Sequence, residues 1–116
     1  MANTRTSTEY QELVTITEAP GAEGFYTTPV MARDKKAFQL YVSVRDAGAS
    51  VTAAGTVSLQ YRYFGETEWQ DYADPNIDTY ELGGRYIIED VGNVEWRAGL
   101  ASGGYIGGTL LIGIDW

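Results

Sequence analysis

Neither cysteine nor histidine occurs among the 116 residues, and the two absences remove whole classes of chemistry. Without cysteine there is no disulfide framework and no thiolate zinc site. Without histidine the usual general base near neutral pH, the common metal ligand and the Ser-His-Asp triad are all missing. Cations are scarce as well: 8 Lys and Arg stand against 16 Asp and Glu, for a net charge of −8. An acidic surface repels phosphate backbones unless its few cations cluster. Arg5, Arg33, Lys35, Lys36, Arg45, Arg62, Arg85 and Arg97 are scattered along the chain, and Asp34 interrupts the small knot from Arg33 to Lys36. Nucleic acid is therefore not an expected partner. No run approaches the roughly 18 apolar residues of a membrane span. The segment Met1-Ala2-Asn3-Thr4-Arg5 lacks the apolar core of a secretory signal. No membrane partner is expected, and the chain is expected to stay in the cytosol of the producing cell or to leave it by a route other than secretion.

A helical period is also lacking, and a two-residue period stands in its place. In Thr56 to Phe64, Val57, Leu59, Tyr61 and Tyr63 share one parity and Thr56, Ser58, Gln60 and Arg62 the other, so one face suits a core and the other water. Phe38, Leu40, Val42 and Val44 repeat the pattern, as do Val94, Trp96, Ala98 and Leu100, and then Leu110, Ile112, Ile114 and Trp116. A strand near Glu12 to Thr17 turns Val14 and Ile16 inward, and one over Gly84 to Glu89 turns Tyr86 and Ile88 inward. Phe25 to Val30 is extended, but Pro29 confines it to a sheet edge or a strand end. Thr56–Phe64 and Trp69–Tyr72 form a hairpin across Gly65-Glu66-Thr67-Glu68. Fourteen glycines provide turns, and nine Tyr and three Trp suit half-buried pleated surfaces.

These segments predict an all-β chain, an antiparallel β-sandwich of seven to nine strands at spacings of roughly 8 to 15 residues. We read the strand order as immunoglobulin-like. Short strands of equal period leave a jelly roll as the alternative order and a small closed barrel as the alternative closure. Residues 1–9 are polar and unpatterned and are read as a flexible N-terminal arm that orders against a partner; residues 10–116 form a single β-sandwich domain.

Several constellations suggest chemistry. Asp74-Pro75-Asn76-Ile77-Asp78 alternates oxygen ligands like the start of a calcium loop, but Thr79 stands where such a loop wants Gly, and Arg85 where it wants a bidentate Glu. The pairs Glu66 and Glu68, Asp71 and Asp74, and Glu89 and Asp90 fall on predicted turns, whereas glycoside hydrolysis needs two carboxylates held across a cleft. No cofactor and no catalytic residue is assigned, and the chain is not expected to be an enzyme. Gly103-Gly104-Tyr105-Ile106-Gly107-Gly108 has the glycines of a phosphate loop but no following helix. It is read as a hairpin loop between the last two strands, with Tyr105 and Ile106 either tucked onto the sandwich end or offered to a partner. Trp69, Tyr72, Tyr80 and Trp96 are candidates for a sugar-stacking platform. Trp96 shares the parity of Val94 and Ala98 and belongs to the core, while Trp69 and Tyr72 fall on opposite parities, so at least one is exposed. With Arg5 in the arm and Tyr10 at its root, Trp69, Tyr72, Tyr105 and Ile106 make up the candidate partner-contact set.

Two resemblances bear on function. Val57-Ser58-Leu59-Gln60-Tyr61-Arg62-Tyr63, before a turn and Trp69, resembles the central hairpin of fibronectin type III and immunoglobulin-like sandwiches. Trp96-Arg97-Ala98-Gly99-Leu100-Ala101-Ser102-Gly103-Gly104 is similar to the later strand and loop of that fold, although the Cys pair is absent and the Tyr and Trp positions are shifted. The combination of Val42 to Asp46, Thr52-Ala53-Ala54-Gly55-Thr56-Val57, the Trp69 hairpin and the Trp-Arg-Ala-Gly segment at Trp96 resembles short virion proteins of tailed bacteriophages, found in capsid decoration, head-fibre and tail components. That resemblance implies a structural role in the virion: a decoration or cement protein that binds the major capsid protein or other virion proteins, often as a homotrimer, and stabilises the head. It implies no particular site residue. A tail or fibre module is the nearest alternative, and a carbohydrate-binding sandwich the alternative from another class.

Overall fold

The computed structural model describes residues 2–46, 57–72, 84–89, 92–103, 105 and 107–116. Within them the alternating segments become strands: β1 (Thr4–Ser7), β2 (Gln11–Ile16), β3 (Phe25–Tyr26), β4 (Gln39–Asp46), β5 (Val57–Tyr63), β6 (Gln70–Asp71), β7 (Gly84–Glu89), β8 (Val94–Leu100) and β9 (Leu110–Asp115). One turn of 3₁₀ helix at Ala32–Lys35 is the only helical element among the described residues. The strands form two antiparallel sheets, ordered β1-β2-β9-β4-β7 and β3-β8-β5-β6.

The order has a simple logic. β2 pairs with β9, β3 with β8, β4 with β7 and β5 with β6, so the pairs are nested, and successive pairs alternate between the two sheets. A long antiparallel ribbon rolled in this way is a jelly roll. This corrects the immunoglobulin-like order expected from sequence and takes the alternative. It also corrects the reading of residues 103–108 as a hairpin loop: β8 and β9 lie in different sheets, so the connection crosses the sandwich. Alternation identifies strands but does not choose their neighbours, which is why both orders fitted the pattern.

One hydrophobic cluster fills the space between the sheets. Val14 and Ile16 of β2, Leu40 and Val42 of β4, Val57 and Leu59 of β5, Trp96, Ala98 and Leu100 of β8, and Leu110, Ile112 and Ile114 of β9 are all buried in it, each on the parity that alternation assigned. Pro29 plays the part expected of it. Phe25–Tyr26 forms the edge of the four-stranded sheet, the ladder breaks at Thr28 and Pro29, and Val30 resumes it by exchanging both backbone hydrogen bonds with Trp96 at 2.8 Å.

Two segments differ from their expected roles. The polar segment read as an arm is hydrogen-bonded over Thr4–Ser7 to β2, Arg5 facing Val14 and Ser7 facing Glu12; a free strand edge can pair through backbone alone, without an apolar face. Phe38 does not join Leu40, Val42 and Val44 in the core but is 96% exposed. The Ala37 amide bonds back to the Ala32 carbonyl at 3.0 Å, and Lys36 sits in the left-handed region at φ 54°. The chain is therefore still turning at Phe38, and strand parity begins only at Gln39.

At the centre of the four-stranded sheet, Gly99 lies opposite both Ser58 and Tyr26. A Cβ built there collides with the Phe25 carbonyl oxygen and comes within 2.6 Å of the Tyr26 Cα, so the close approach of β3 requires glycine. Gly99→Ala is expected to destabilise the fold by about 1–3 kcal/mol or more through overpacking against backbone. Gly21→Ala, where nothing lies within 4 Å of the added carbon, is expected to leave the urea midpoint within error. Equal midpoints for the two variants would refute the crowding argument.

Candidate functional site

The outer face of the four-stranded sheet collects the residues that alternate with the core. Cross-strand register sets Gln60 opposite Arg97 and Arg62 opposite Glu95 on β5 and β8, and Gln60 opposite Asp71 on β6. Directly opposed side chains share a face and touch. The Arg97 Nε donates to Gln60 Oε1 at 2.8 Å, the Gln60 amide donates to Asp71 Oδ1 at 2.9 Å, and the Arg62 Nε donates to Glu95 Oε1 at 3.2 Å.

Aromatic rings thread through this polar row. The Arg97 guanidinium lies 4.1 Å from the Tyr26 ring centroid and 4.4 Å from that of Trp69, and Arg62 lies 4.3 Å from the same indole. From β1, Arg5 reaches across to β3: its guanidinium is 4.1 Å from the Phe25 ring, and its Nε donates to the Tyr26 carbonyl at 2.6 Å. Cations scattered in sequence thus meet on one face, contrary to the reading that they do not cluster. Arg5, Arg97, Tyr26, Thr27, Thr28, Pro29, Glu23 and Gly24 line a pocket of about 380 Å³. Burial lowers the Arg97 pKa, with the neighbouring guanidinium groups of Arg62 and Arg5 adding to the effect against the Tyr26 phenol and Asp71. Burial likewise raises the Tyr26 pKa, opposed by Arg97.

A second surface sits at the end of the five-stranded sheet. Tyr10, Lys35, Lys36, Ala37, Phe38, Gln39, Tyr41 and Trp116 line a shallow depression of about 420 Å³. Phe38 stands free beside Tyr10, itself 62% exposed, and the Lys35 ammonium lies 4.9 Å from the Trp116 ring centroid. Left-handed backbone at a non-glycine residue costs roughly 1 kcal/mol or more, and Lys36 holds that conformation two residues before Phe38. Its amide caps the 3₁₀ turn on the Ala32 and Arg33 carbonyls.

The six candidate contact residues fall in separate places. Arg5 and Trp69 belong to the arginine–aromatic face, Arg5 through Phe25 and Tyr26 and Trp69 through Arg62 and Arg97. Tyr10 belongs to the Phe38 surface. Tyr72 is 41% exposed and packs edge-on against Tyr61 and Trp96, at centroid distances of 6.5 and 5.6 Å. Tyr105 is half-buried, and its hydroxyl donates toward the Thr17 and Gly108 carbonyls at 3.0 and 2.8 Å. Ile106 lies outside the described residues, as does Tyr80 of the stacking set. So do Asp74 to Asp78 of the calcium-like segment. Of the carboxylate pairs, Glu66 and Glu68 stand exposed on the β5–β6 turn, and Asp71 is exposed. Asp74, Asp90 and the Glu89 side chain are not described.

Sequence reasoning left out Arg97, Arg62, Tyr26, Phe38, Lys35 and Trp116 as contact residues. Parity placed Arg97 and Arg62 on outward faces, but their meeting depends on β5 lying beside β8, which parity does not contain. No family model matches the chain, and no curated protein or solved structure is significantly similar to it.

The raised Tyr26 pKa has a stability consequence with a definite sign. The folded protein keeps a phenol proton that the unfolded chain releases near pH 10, so this contribution is fully present below that pH and is lost as pH rises through the folded value. We expect the urea midpoint of the native chain to fall relative to that of Tyr26→Phe between pH 9 and 11 (an interval chosen about the ordinary tyrosine value) and the offset between them to be constant from pH 7 to 9. Parallel curves across the whole range would contradict the assignment.

Proposed function

We propose that this chain is a non-enzymatic structural component of a tailed-bacteriophage virion, a decoration protein that self-associates as a trimer and binds the head. The observation that carries the reading is Phe38, held 96% exposed at the surface. A large ring in water, flanked by Tyr10 and Trp116 and by two lysines, is the composition of a contact surface: aromatic anchors with charge at the rim. Lys36, left-handed where it caps the 3₁₀ turn, fixes where Phe38 leaves that turn. The resemblance of the Val42–Asp46 and Trp69 segments to virion proteins supports the biological setting. The jelly roll, which recurs in viral capsid proteins and in lectins, adds fold-level analogy alone. In an assembled shell many modest contacts sum, so a small aromatic surface suffices at each.

For the carbohydrate-binding alternative, the Trp69 ring is already in contact with the Arg62 and Arg97 guanidinium groups, which a stacking sugar would have to share or displace.

Light scattering over a concentration series tests the proposal. We expect a trimer mass for the native chain and a monomer for Phe38→Ser. Because the ring is exposed, Phe38→Ser is expected to change stability by no more than about 0.5 kcal/mol. A native chain that stays monomeric throughout, or a Phe38→Ser variant that still forms trimers, would remove the proposal's support.

A further inference from the structure

The pocket between β1, β3 and β8 lies apart from the Phe38 surface and presents a different chemistry. Two guanidinium groups border it, each anchored through its Nε. Arg5 is fixed by the Tyr26 carbonyl and the Phe25 ring, and Arg97 by Gln60 and the Tyr26 ring. Anchoring by Nε leaves the two terminal nitrogens, whose N–H groups can meet a carboxylate end-on. Among the described residues the ion pairs are Arg62 with Glu95 and Arg33 with Asp34, and neither Arg5 nor Arg97 meets a carboxylate at that distance. Hydroxyl donors complete the lining. Thr27 is buried, and its Oγ1 accepts the Ala98 amide at 3.1 Å, a bond that does not use the hydroxyl proton; Thr28 stands beside it.

We propose that this pocket is a binding site for a carboxylate, held by Arg5 and Arg97 with the Thr27 and Thr28 hydroxyls. A planar anion of single charge fits better than a phosphate dianion. Glu23 lines the same pocket, and the net charge of −8 penalises each added negative charge. Mutual repulsion between Arg97 and its cationic neighbours is relieved when an anion arrives, so the site gains from occupancy what it lacks when empty. The carboxylate has two possible sources: a free small acid, or an acidic side chain of another copy of this chain. The proposal does not depend on the decoration reading.

The test uses the full chain, with backbone amides and arginine Nε–H groups followed by NMR during titration with glutarate in the form of its monomethyl ester, a carboxylate of single charge. Chloride holds the ionic strength constant, and inorganic phosphate serves as a parallel probe. We expect saturable shifts at Arg5, Arg97, Thr27 and Gly24 that are larger and earlier with glutarate than with phosphate. Losing one charge-assisted fork in Arg97→Gln should weaken binding by about 10- to 100-fold. Arg97→Lys, which keeps charge but not the fork, should fall between, and Arg33→Gln, on the 3₁₀ turn, should match the native chain. Shifts that follow ionic strength whichever anion is used, tighter binding of phosphate, or unchanged binding in a folded Arg97→Gln chain would each overturn the proposal. The source is read separately. Self-association at low salt that glutarate disperses and Arg97→Gln abolishes assigns the carboxylate to another copy. Glutarate binding with no change in mass assigns it to a free acid. Because Phe38→Ser leaves this pocket intact, glutarate binding in that variant separates failure here from failure of the trimer reading.

Discussion

Strand β8 sets the arrangement on which both sheets and the arginine face depend. Its seven residues divide strictly, with Val94, Trp96, Ala98 and Leu100 inward and Glu95, Arg97 and Gly99 outward. A register slip of one residue would exchange these sets, placing a guanidinium in the core and an indole in water, so one large hydrophobic penalty holds the whole outer face in position. β5 pairs with it along seven positions, Val57 facing Leu100 through Tyr63 facing Val94. On its other side β3 closes against Gly99, where the missing side chain admits the backbone of Phe25 and Tyr26. The chemistry of the outward face thus inherits its precision from packing on the inward one.

The sequence is most legible where a residue's fate depends only on its own strand. The buried residues of β2, β4, β5, β8 and β9 follow from alternation, as do the edge position of Phe25–Tyr26 from Pro29 and the β5–β6 hairpin from Gly65 and its neighbours, although Tyr63, on the same parity as Val57 and Leu59, is 54% exposed at the end of β5. Legibility ended where position depends on a partner strand. The choice between an immunoglobulin-like order and a jelly roll is a choice of neighbours, and so is the meeting of Arg5, Arg62 and Arg97, which come from three strands. The pairing of Thr4–Ser7 is not legible because it rests on backbone hydrogen bonds and on polar side-chain bonds such as Arg5 to the Tyr26 carbonyl and Ser7 to Glu12, which leave no apolar signature. The exposure of Phe38 is not legible either, because a left-handed residue at Lys36, outside the residues that commonly adopt it, gives no compositional warning.

The few cations are spent on contact rather than on pairing. Arg33 with Asp34, at 3.9 Å between exposed side chains, is of the kind worth little in water. Arg62 with Glu95, at 3.2 Å and partly buried, is the firmer of the two. Three further cations lie against rings: Arg5 on Phe25, Arg97 on Tyr26 and Trp69, and Lys35 on Trp116. Such contacts are each worth about 0.5–1 kcal/mol at exposed sites and more when desolvated. They also hold long side chains extended, which lowers the entropy lost when a further ligand is gripped. In an acidic chain this produces two local regions of opposite character to the whole.

The position of β9 has a consequence for how the molecule comes into being. It is the middle strand of the five-stranded sheet, between β2 and β4, yet it is formed by residues 110–115, far along the chain from Gln11–Ile16. A ribosome delivers β2 and β4 long before the strand that joins them, and until then each presents an unpaired edge with apolar residues beside it. The innermost pair of the ribbon, β5 with β6, needs only a short loop and can close early, whereas the outermost pair must close a loop of nearly the whole domain. Synthesis therefore runs ahead of folding over most of the chain, and the interval before residues 110–115 emerge is when association with the wrong strand is easiest.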